Sequence, residues 1–351
     1  MRSDVKLAIA GTIIFLVAVS SSNQNLVSTS QNNAEDTSNV LRIGYFPNIN
    51  HAQAVIGIGN GDFQKEMGDT KIEAQIFNAG PSAIEALFAK RIDVAYVGPN
   101  PAINGFLKTD GQGLRIVAGV SSGGAVFVVR NDSGIVSEAD LGGKKFASPQ
   151  LGNTQDVALR TYLNEKGYKT SENGGNIQII PAANSDIFTM MTKKEIDGAW
   201  VPEPWGAKLV QETNSHILVD ERDLWPNGKF TTAVIVVRSD YLQNHSDIIK
   251  KLLKAHVDET LWINSNQDEA IGEFNEQEKV LTGKTIPTKE LSQAFSRMTL
   301  TYDPEKDSLY KAADDAYGLG FLGDKKPDLT NIFDLNLLND VLSEKNLSPV
   351  P

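Results

Sequence analysis

One internal repeat constrains this chain more than any other feature. Ile84, Leu87 and Phe88 fall on one helical face and lead into Lys90, Arg91, Ile92, Asp93, Ala95, Tyr96 and Val97. The order recurs downstream as Ile187, Met190, Met191, Lys193, Lys194, Ile196, Asp197, Ala199, Trp200 and Val201, with Glu195 read as an insertion. Ser82 precedes the first copy and Ser185 the second, and Pro99 and Pro202 follow them. Each copy reads as helix, basic turn, strand and proline-marked loop. Two such units in one chain predict two similar α/β lobes.

A second near-duplication brackets the later copy. Ala125 to Arg130 (AVFVVR) and Ala233 to Arg238 (AVIVVR) are rich in β-branched residues and read as strands. They are expected to cross between the lobes, with Gly123 and Gly124 allowing the bend. Strand and helix alternate from Leu41 to about His216, which predicts mostly parallel sheets flanked by helices. After Asp240 the pattern turns helical, with a long helix over Ile248 to Ile263. The expected division is residues 40–123 plus 233–351 for lobe 1 and 124–232 for lobe 2.

The N-terminus reads differently. Arg2 and Lys6 precede an apolar run from Leu7 to Val19, closed by Ser20, Ser21 and Ser22. That pattern predicts, over residues 1–22, either a cleaved secretory signal or a retained anchor, and so an exported protein. Residues 23–39 are mostly Ser, Thr, Asn, Gln and acidic residues, too polar to bury a core, and read as a flexible linker.

Composition removes several function classes. With 351 residues, 40% of them hydrophobic, the chain can fill two ordinary cores. A formal charge of -11 with scattered basic residues argues against nucleic acid as a partner. The absence of cysteine excludes a thiol nucleophile, a disulfide framework and a zinc–cysteine site. Gly57, Gly59 and Gly61 lack the spacing of a dinucleotide fingerprint. Asp303, Glu305 and Asp307 lack the glycine and terminal glutamate of a calcium loop and read as a solvated turn. No cofactor or metal is expected.

Four stretches carry a family resemblance: Gly44 to Ala52 (GYFPNINHA), Asn78 to Ala102, Phe146 to Leu163, and Ile196 to Leu209. In this order they resemble the nitrate/sulfonate/taurine class of periplasmic solute-binding proteins of ABC importers, which have the type II binding-protein fold. The resemblance implies closure of two lobes on a small oxyanion, then delivery to a permease driven by an ATPase partner. It leaves open a binder of a thiamine pyrimidine precursor, or a cofactor-biosynthesis enzyme on the same fold. The enzyme lineage depends on a cysteine-rich motif, which this chain lacks, and no paired acid and base is evident, so a non-enzyme is expected.

Ligands of open α/β sheets sit beyond the carboxyl ends of the strands, where helices begin. The candidate ligand-binding residues there are Asn48, His51, Gly80, Ser82, Asn100, Ser122, Gly123, Gly152, Asn153, Thr154, Glu203 and Trp205. Small and hydroxyl residues at helix starts leave backbone N–H groups bare for an oxyanion. Ser82, Asn153 and Thr154 are equally ordinary helix caps. His51 reads either as a packing residue or as a cleft contact. Glu203, between Pro202 and Pro204, reads as a carboxylate that binds a ligand amine, counters a cation or caps the following helix. Tyr96 and Trp200 lie inside strand runs and belong to the core.

Overall fold

The computed structural model describes residues 39–351. The expected N-terminal signal or anchor, and all of the linker but Asn39, lie outside the described residues. From the first strand the elements are β1 (Val40–Tyr45), α1 (Ala52–Gly59), α2 (Asp62–Met67), β2 (Lys71–Ile76), α3 (Gly80–Phe88), β3 (Val94–Val97), α4 (Pro99–Lys108) and β4 (Leu114–Gly123). Then follow β5 (Ala125–Arg130), β6 (Lys145–Pro149), α5 (Thr154–Glu165), β7 (Gln178–Ala182), α6 (Asn184–Thr192), β8 (Gly198–Pro202), α7 (Trp205–Glu212) and β9 (Ser215–Asp220). The rest comprises β10 (Thr231–Arg238), α8 (Ser239–Asn244), α9 (Ser246–Ser265), α10 (Gln267–Thr282), α11 (Thr288–Phe295), β11 (Met298–Leu300), α12 (Lys306–Gly318) and α13 (Asn336–Glu344).

These strands form two sheets, ordered β11-β4-β10-β3-β1-β2 and β9-β5-β8-β6-β7. Read from β4 and from β9, the two orders are the same. β10, β3, β1 and β2 of the first sheet correspond to β5, β8, β6 and β7 of the second. The sequence repeat is the visible trace of this correspondence. Helices α3 and α6 begin at Gly80 and Asn184 and end at Phe88 and Thr192, a constant offset of 104 positions. At that offset Lys90 and Lys194 both take left-handed backbone, at φ 57° and 61°. No insertion at Glu195 is therefore needed: the structure pairs Lys90 with Lys194, one position later than the sequence alignment does.

Asp93 and Asp197 show why this segment keeps its chemistry. Asp93 accepts the Arg42 backbone N–H at 3.0 Å and binds Arg238 at 2.9 Å. Asp197 accepts the Lys145 N–H at 2.9 Å and lies 3.5 Å from Arg130. Each aspartate thus ties the start of one parallel strand to the arginine that ends AVIVVR or AVFVVR. The two duplicated features are parts of one repeated device.

Two expectations need correction. The sheets are mixed rather than mostly parallel. Four pairings are parallel, while β10 with β3 and β4, β11 with β4, and β5 with β8 and β9 are antiparallel. The strands entered on passing from one sheet to the other, β5 and β10, run against their β8 and β3 neighbours. Neither strand spans the lobes, as the sequence reading expected; each lies wholly in one sheet. The chain changes sheets at Gly123–Gly124, both at φ 77°, and again just before Thr231. The Gly123 N–H donates to the Phe230 carbonyl at 3.0 Å, so the two crossings lie side by side.

Each sheet is covered on both faces. In the first, one layer packs residues such as Val55, Leu252 and Phe274 of α1, α9 and α10. The other packs Leu87, Phe106 and Leu309 of α3, α4 and α12. In the second, Phe127, Phe146, Tyr162 and Trp200 form an aromatic layer under α5. Ile187, Val201 and Leu209 fill the opposite face under α6 and α7. Tyr96 and Trp200 are fully buried.

Candidate functional site

The carboxyl ends of β1, β3, β6 and β8 face one another across the gap between the sheets. Between them lies a small cavity of about 20 Å³. Its walls come from both lobes. Phe46, Asn48, Asn50, His51, Asn78, Ala79, Gly98 and Thr232 line one side, and Pro149, Asn153, Thr154, Gln155, Asn184 and Pro202 the other.

Helix starts surround it. α3 begins after Ala79, α4 after Gly98, α5 after Asn153 and α6 after Ala183, and none of these preceding residues caps its helix with a side chain. The backbone N–H groups that open α5 and α6, with those of Gly80 and Ser82 in α3 and of Asn100 in α4, are thus free of side-chain acceptors, and the helix dipoles favour negative charge at that point. Pro81 and Pro99 suit these starts because their missing N–H costs no hydrogen bond there.

No lining side chain carries a formal charge except by titration of His51, and burial holds its pKa down at about 3. The imidazole is neutral at any physiological pH. Its ring lies 4.6 Å from Phe46 and 6.3 Å from Tyr96, centre to centre. The lining is otherwise rich in carboxamides: Asn48, Asn50, Asn78, Asn153, Gln155 and Asn184. Four buried atoms in this wall have no hydrogen-bond partner among the described residues: Asn50 Oδ1, His51 Nδ1, Thr154 Oγ1 and Asn184 Oδ1. Such atoms are rare in folded proteins because each costs about 1–3 kcal/mol. All four belong to residues that line this one cavity.

The lobes approach closely over the glycines at two helix starts. A Cβ on Gly98 would stand 2.3 Å from Thr154 Oγ1. One on Gly80 would stand 3.1 Å from Asn153 Oδ1 and 2.3 Å from Pro101. Asp156 fixes the loop on the far side. It accepts from Ser148 Oγ at 2.6 Å and from the Gly152 N–H at 2.9 Å, and pairs with Arg160 at 3.1 Å.

Of the residues singled out by sequence, Asn48, His51, Asn153 and Thr154 line the cavity, and Gly80 abuts it. The others sit elsewhere for identifiable reasons. Ser82 turns its hydroxyl back to the Ala79 carbonyl at 2.9 Å. Asn100 donates to the Ala312 carbonyl at 3.2 Å and so ties α4 to α12. Ser122 donates to Glu305 at 2.9 Å, which also makes the Asp303–Asp307 stretch a hinge contact rather than a merely solvated turn. Gly123 serves the crossing, and the Gly152 N–H is engaged by Asp156. Glu203 is fully buried and faces Arg297 at 2.6 Å, with the Ala207 N–H donating to it at 2.9 Å. It is a helix cap and an ion-pair partner, not a cleft carboxylate. Trp205 packs with the apolar face under α6 and α7.

Sequence reasoning passed over Asn50, Asn78 and Thr232. Asn78 lies two residues beyond β2 and Asn50 adjoins His51 after β1, so position past a strand end was the available signal for both. Thr232 had none, because it lies on the strand returning from the other lobe.

The NMT1-like family model matches residues 33–274. The taurine-binding periplasmic protein of Escherichia coli is 25% identical over 205 residues, covering 58% of this chain and 61% of that protein. Among solved structures, the alkanesulfonate-binding protein SsuA from Xanthomonas axonopodis superposes with a TM-score of 0.71 at 18% identity, covering 85% of this chain and 98% of that one. The periplasmic nitrate-binding protein NrtA from Synechocystis gives a TM-score of 0.74 at 16% identity, covering 87% and 89%. These two likenesses establish the two-lobed binding-protein fold.

Proposed function

The chain belongs to the NMT1-like family, and from that premise we propose that it is the solute-binding component of an ABC importer, capturing a small oxyanion between two lobes. The lobes are taken as residues 40–123 plus 231–351 and residues 124–230, a second boundary two residues earlier than the sequence suggested, because Thr231 already pairs with Ser122 in the first sheet. One observation carries this reading. Unpartnered polar atoms from both lobes converge with uncapped helix starts on a cavity whose lining holds no lysine, arginine or carboxylate. Backbone N–H groups at helix starts can hold an oxyanion without a cationic side chain. The relatives named for taurine, an alkanesulfonate and nitrate share an oxyanion ligand.

Binding rather than turnover is supported by the one titratable side chain in the lining. His51, held neutral with a pKa of about 3, is poorly matched to proton transfer near neutral pH. The protein would act outside the cytoplasmic membrane, in the periplasm or at the membrane's outer face, and hand its ligand to a permease worked by an ATPase.

A thermal-shift series with nitrate, bicarbonate, ethanesulfonate and taurine tests the ligand class. An oxyanion at a hundred times its dissociation constant should add about 2.7 kcal/mol of stability. A midpoint moved by an aminopyrimidine and by none of the oxyanions would refute the reading.

A further inference from the structure

We propose that Asn50 selects ligands that bring a hydrogen-bond donor of their own, a hydroxyl or N–H carried alongside the oxyanion. The inference rests on the oxyanion reading above and narrows it. Asn50 lies in the short helical turn Ile49–His51 between β1 and α1, is 3% exposed, and lines the cavity. Its Nδ2 stands 3.2 Å from the Gly123 carbonyl, 3.4 Å from the Gly124 carbonyl and 3.1 Å from Thr232 Oγ1. Carbonyl oxygens only accept, so the nitrogen must face them and the orientation of the amide is fixed by its neighbours.

The consequence falls on the other end of the group. Asn50 Oδ1 is buried, has no partner, and as an amide oxygen can only accept. The other unpartnered atoms are less constrained: Asn184 Oδ1 is also an acceptor, but no side-chain hydrogen bond among the described residues fixes that amide, so it can turn its nitrogen instead. Thr154 Oγ1 can donate or accept, and His51 Nδ1 can do either according to its tautomer. An oxyanion oxygen placed against Asn50 Oδ1 would set two lone-pair acceptors face to face with no proton between them. A ligand O–H or N–H removes that conflict. Nor can the amide readily turn away. Its nitrogen holds both glycines of the crossing, each at φ 77°, and rotation would release three hydrogen bonds at the hinge.

Matched ligand pairs test this with the full-length, unsubstituted chain. Bicarbonate and nitrate are planar anions of like size, and one of them carries a hydroxyl. Taurine and isethionate differ from ethanesulfonate by an added amine or hydroxyl. In whichever set binds by titration calorimetry, the donor-bearing member should bind at least about tenfold tighter, since a site that leaves its own polar group unpaired rejects the analogue. In Asn50→Ala that ratio should fall to about one. The comparison is a ratio, so a general loss of affinity cancels, and the unsubstituted protein decides the matter even if the variant does not fold. Equal or tighter binding of the donor-free members overturns the role of Asn50 and leaves the oxyanion reading standing. Persistence of the ratio in Asn50→Ala overturns it too. Binding of an aminopyrimidine with no oxyanion bound at all removes the oxyanion reading, and this inference with it.

Discussion

Glu203 is the residue whose role changes most between sequence and structure. Its position at a strand end is correct, but its side chain points into the protein, where Arg297 from the other sheet's side meets it at 2.6 Å. Burial raises its pKa above the ordinary glutamate value, and the Arg297 charge pulls the other way. Removing Arg297 leaves a buried carboxylate with one backbone N–H for support. Arg297→Met should therefore cost about 3–5 kcal/mol near neutral pH, as for one partner lost from a buried pair. The sign of the pH dependence follows from linkage. A carboxyl whose folded pKa lies above its unfolded one takes up a proton on folding, so its contribution is present at low pH and is lost as pH rises through the folded value. Loss of Arg297 enlarges that shift, so the deficit should be larger at pH 8 than at pH 5. Urea denaturation at both values checks this; an equal deficit would show that Glu203 does not titrate there. Which way a side chain faces depends on partners far along the chain, here 94 residues away, and no local pattern in the sequence encodes that.

At the scale of elements, much was legible, because strand and helix periods and the repeat report on local geometry. The alternation of β-branched residues in AVFVVR and AVIVVR marks β5 and the body of β10, and the proline-marked loops mark the starts of α4 and α7. Strand direction was not legible. Antiparallel pairing of β5 and β10 arises from the change of lobe, which leaves no periodic signature. The helix starts themselves carry a prediction. Gly98 has φ -68°, which any residue adopts, so alanine there should leave lobe 1 unstrained. Its Cβ would nonetheless stand 2.3 Å from Thr154 Oγ1 across the cleft. Gly98→Ala should keep the melting temperature of the ligand-free protein within a degree or two while weakening ligand at least about tenfold, the equivalent of about 1.4 kcal/mol of obstructed closure. Adding Thr154→Ala should recover part of that loss, since it removes the obstructing atom. Calorimetric affinities of the two single variants and the double variant form the cycle. Unchanged affinity in Gly98→Ala would mean that the bound lobes stand further apart than the structure places them.

For the whole molecule, the same unpartnered atoms that mark the cleft set the balance between open and closed forms. With the lobes as the structure places them, Asn50 Oδ1, His51 Nδ1, Thr154 Oγ1 and Asn184 Oδ1 are buried without partners among the described residues. A cavity of about 20 Å³ has room for about one water, too few to satisfy four atoms supplied from two lobes. At about 1 kcal/mol each, the lower end of the usual cost, the unpaired atoms weigh against closure by about 4 kcal/mol, a factor of roughly 10³ relative to closure with those atoms paired. A ligand that pairs these atoms removes the penalty only in the closed form, because only that form presents both lobes to it. The hinge for such a movement is narrow: Gly123 and Gly124 in one crossing, and the Phe230–Thr231 step bonded beside them in the other. Small-angle scattering should therefore give a larger radius of gyration without ligand than with a saturating oxyanion, and only the liganded curve should fit the compact two-lobed arrangement. The Gly98→Ala variant should remain extended at ligand concentrations that compact the unsubstituted protein. A ligand-free curve already matching the closed form would show that contacts between the lobes outweigh the unpaired atoms, and ligand-driven closure would then have to be abandoned.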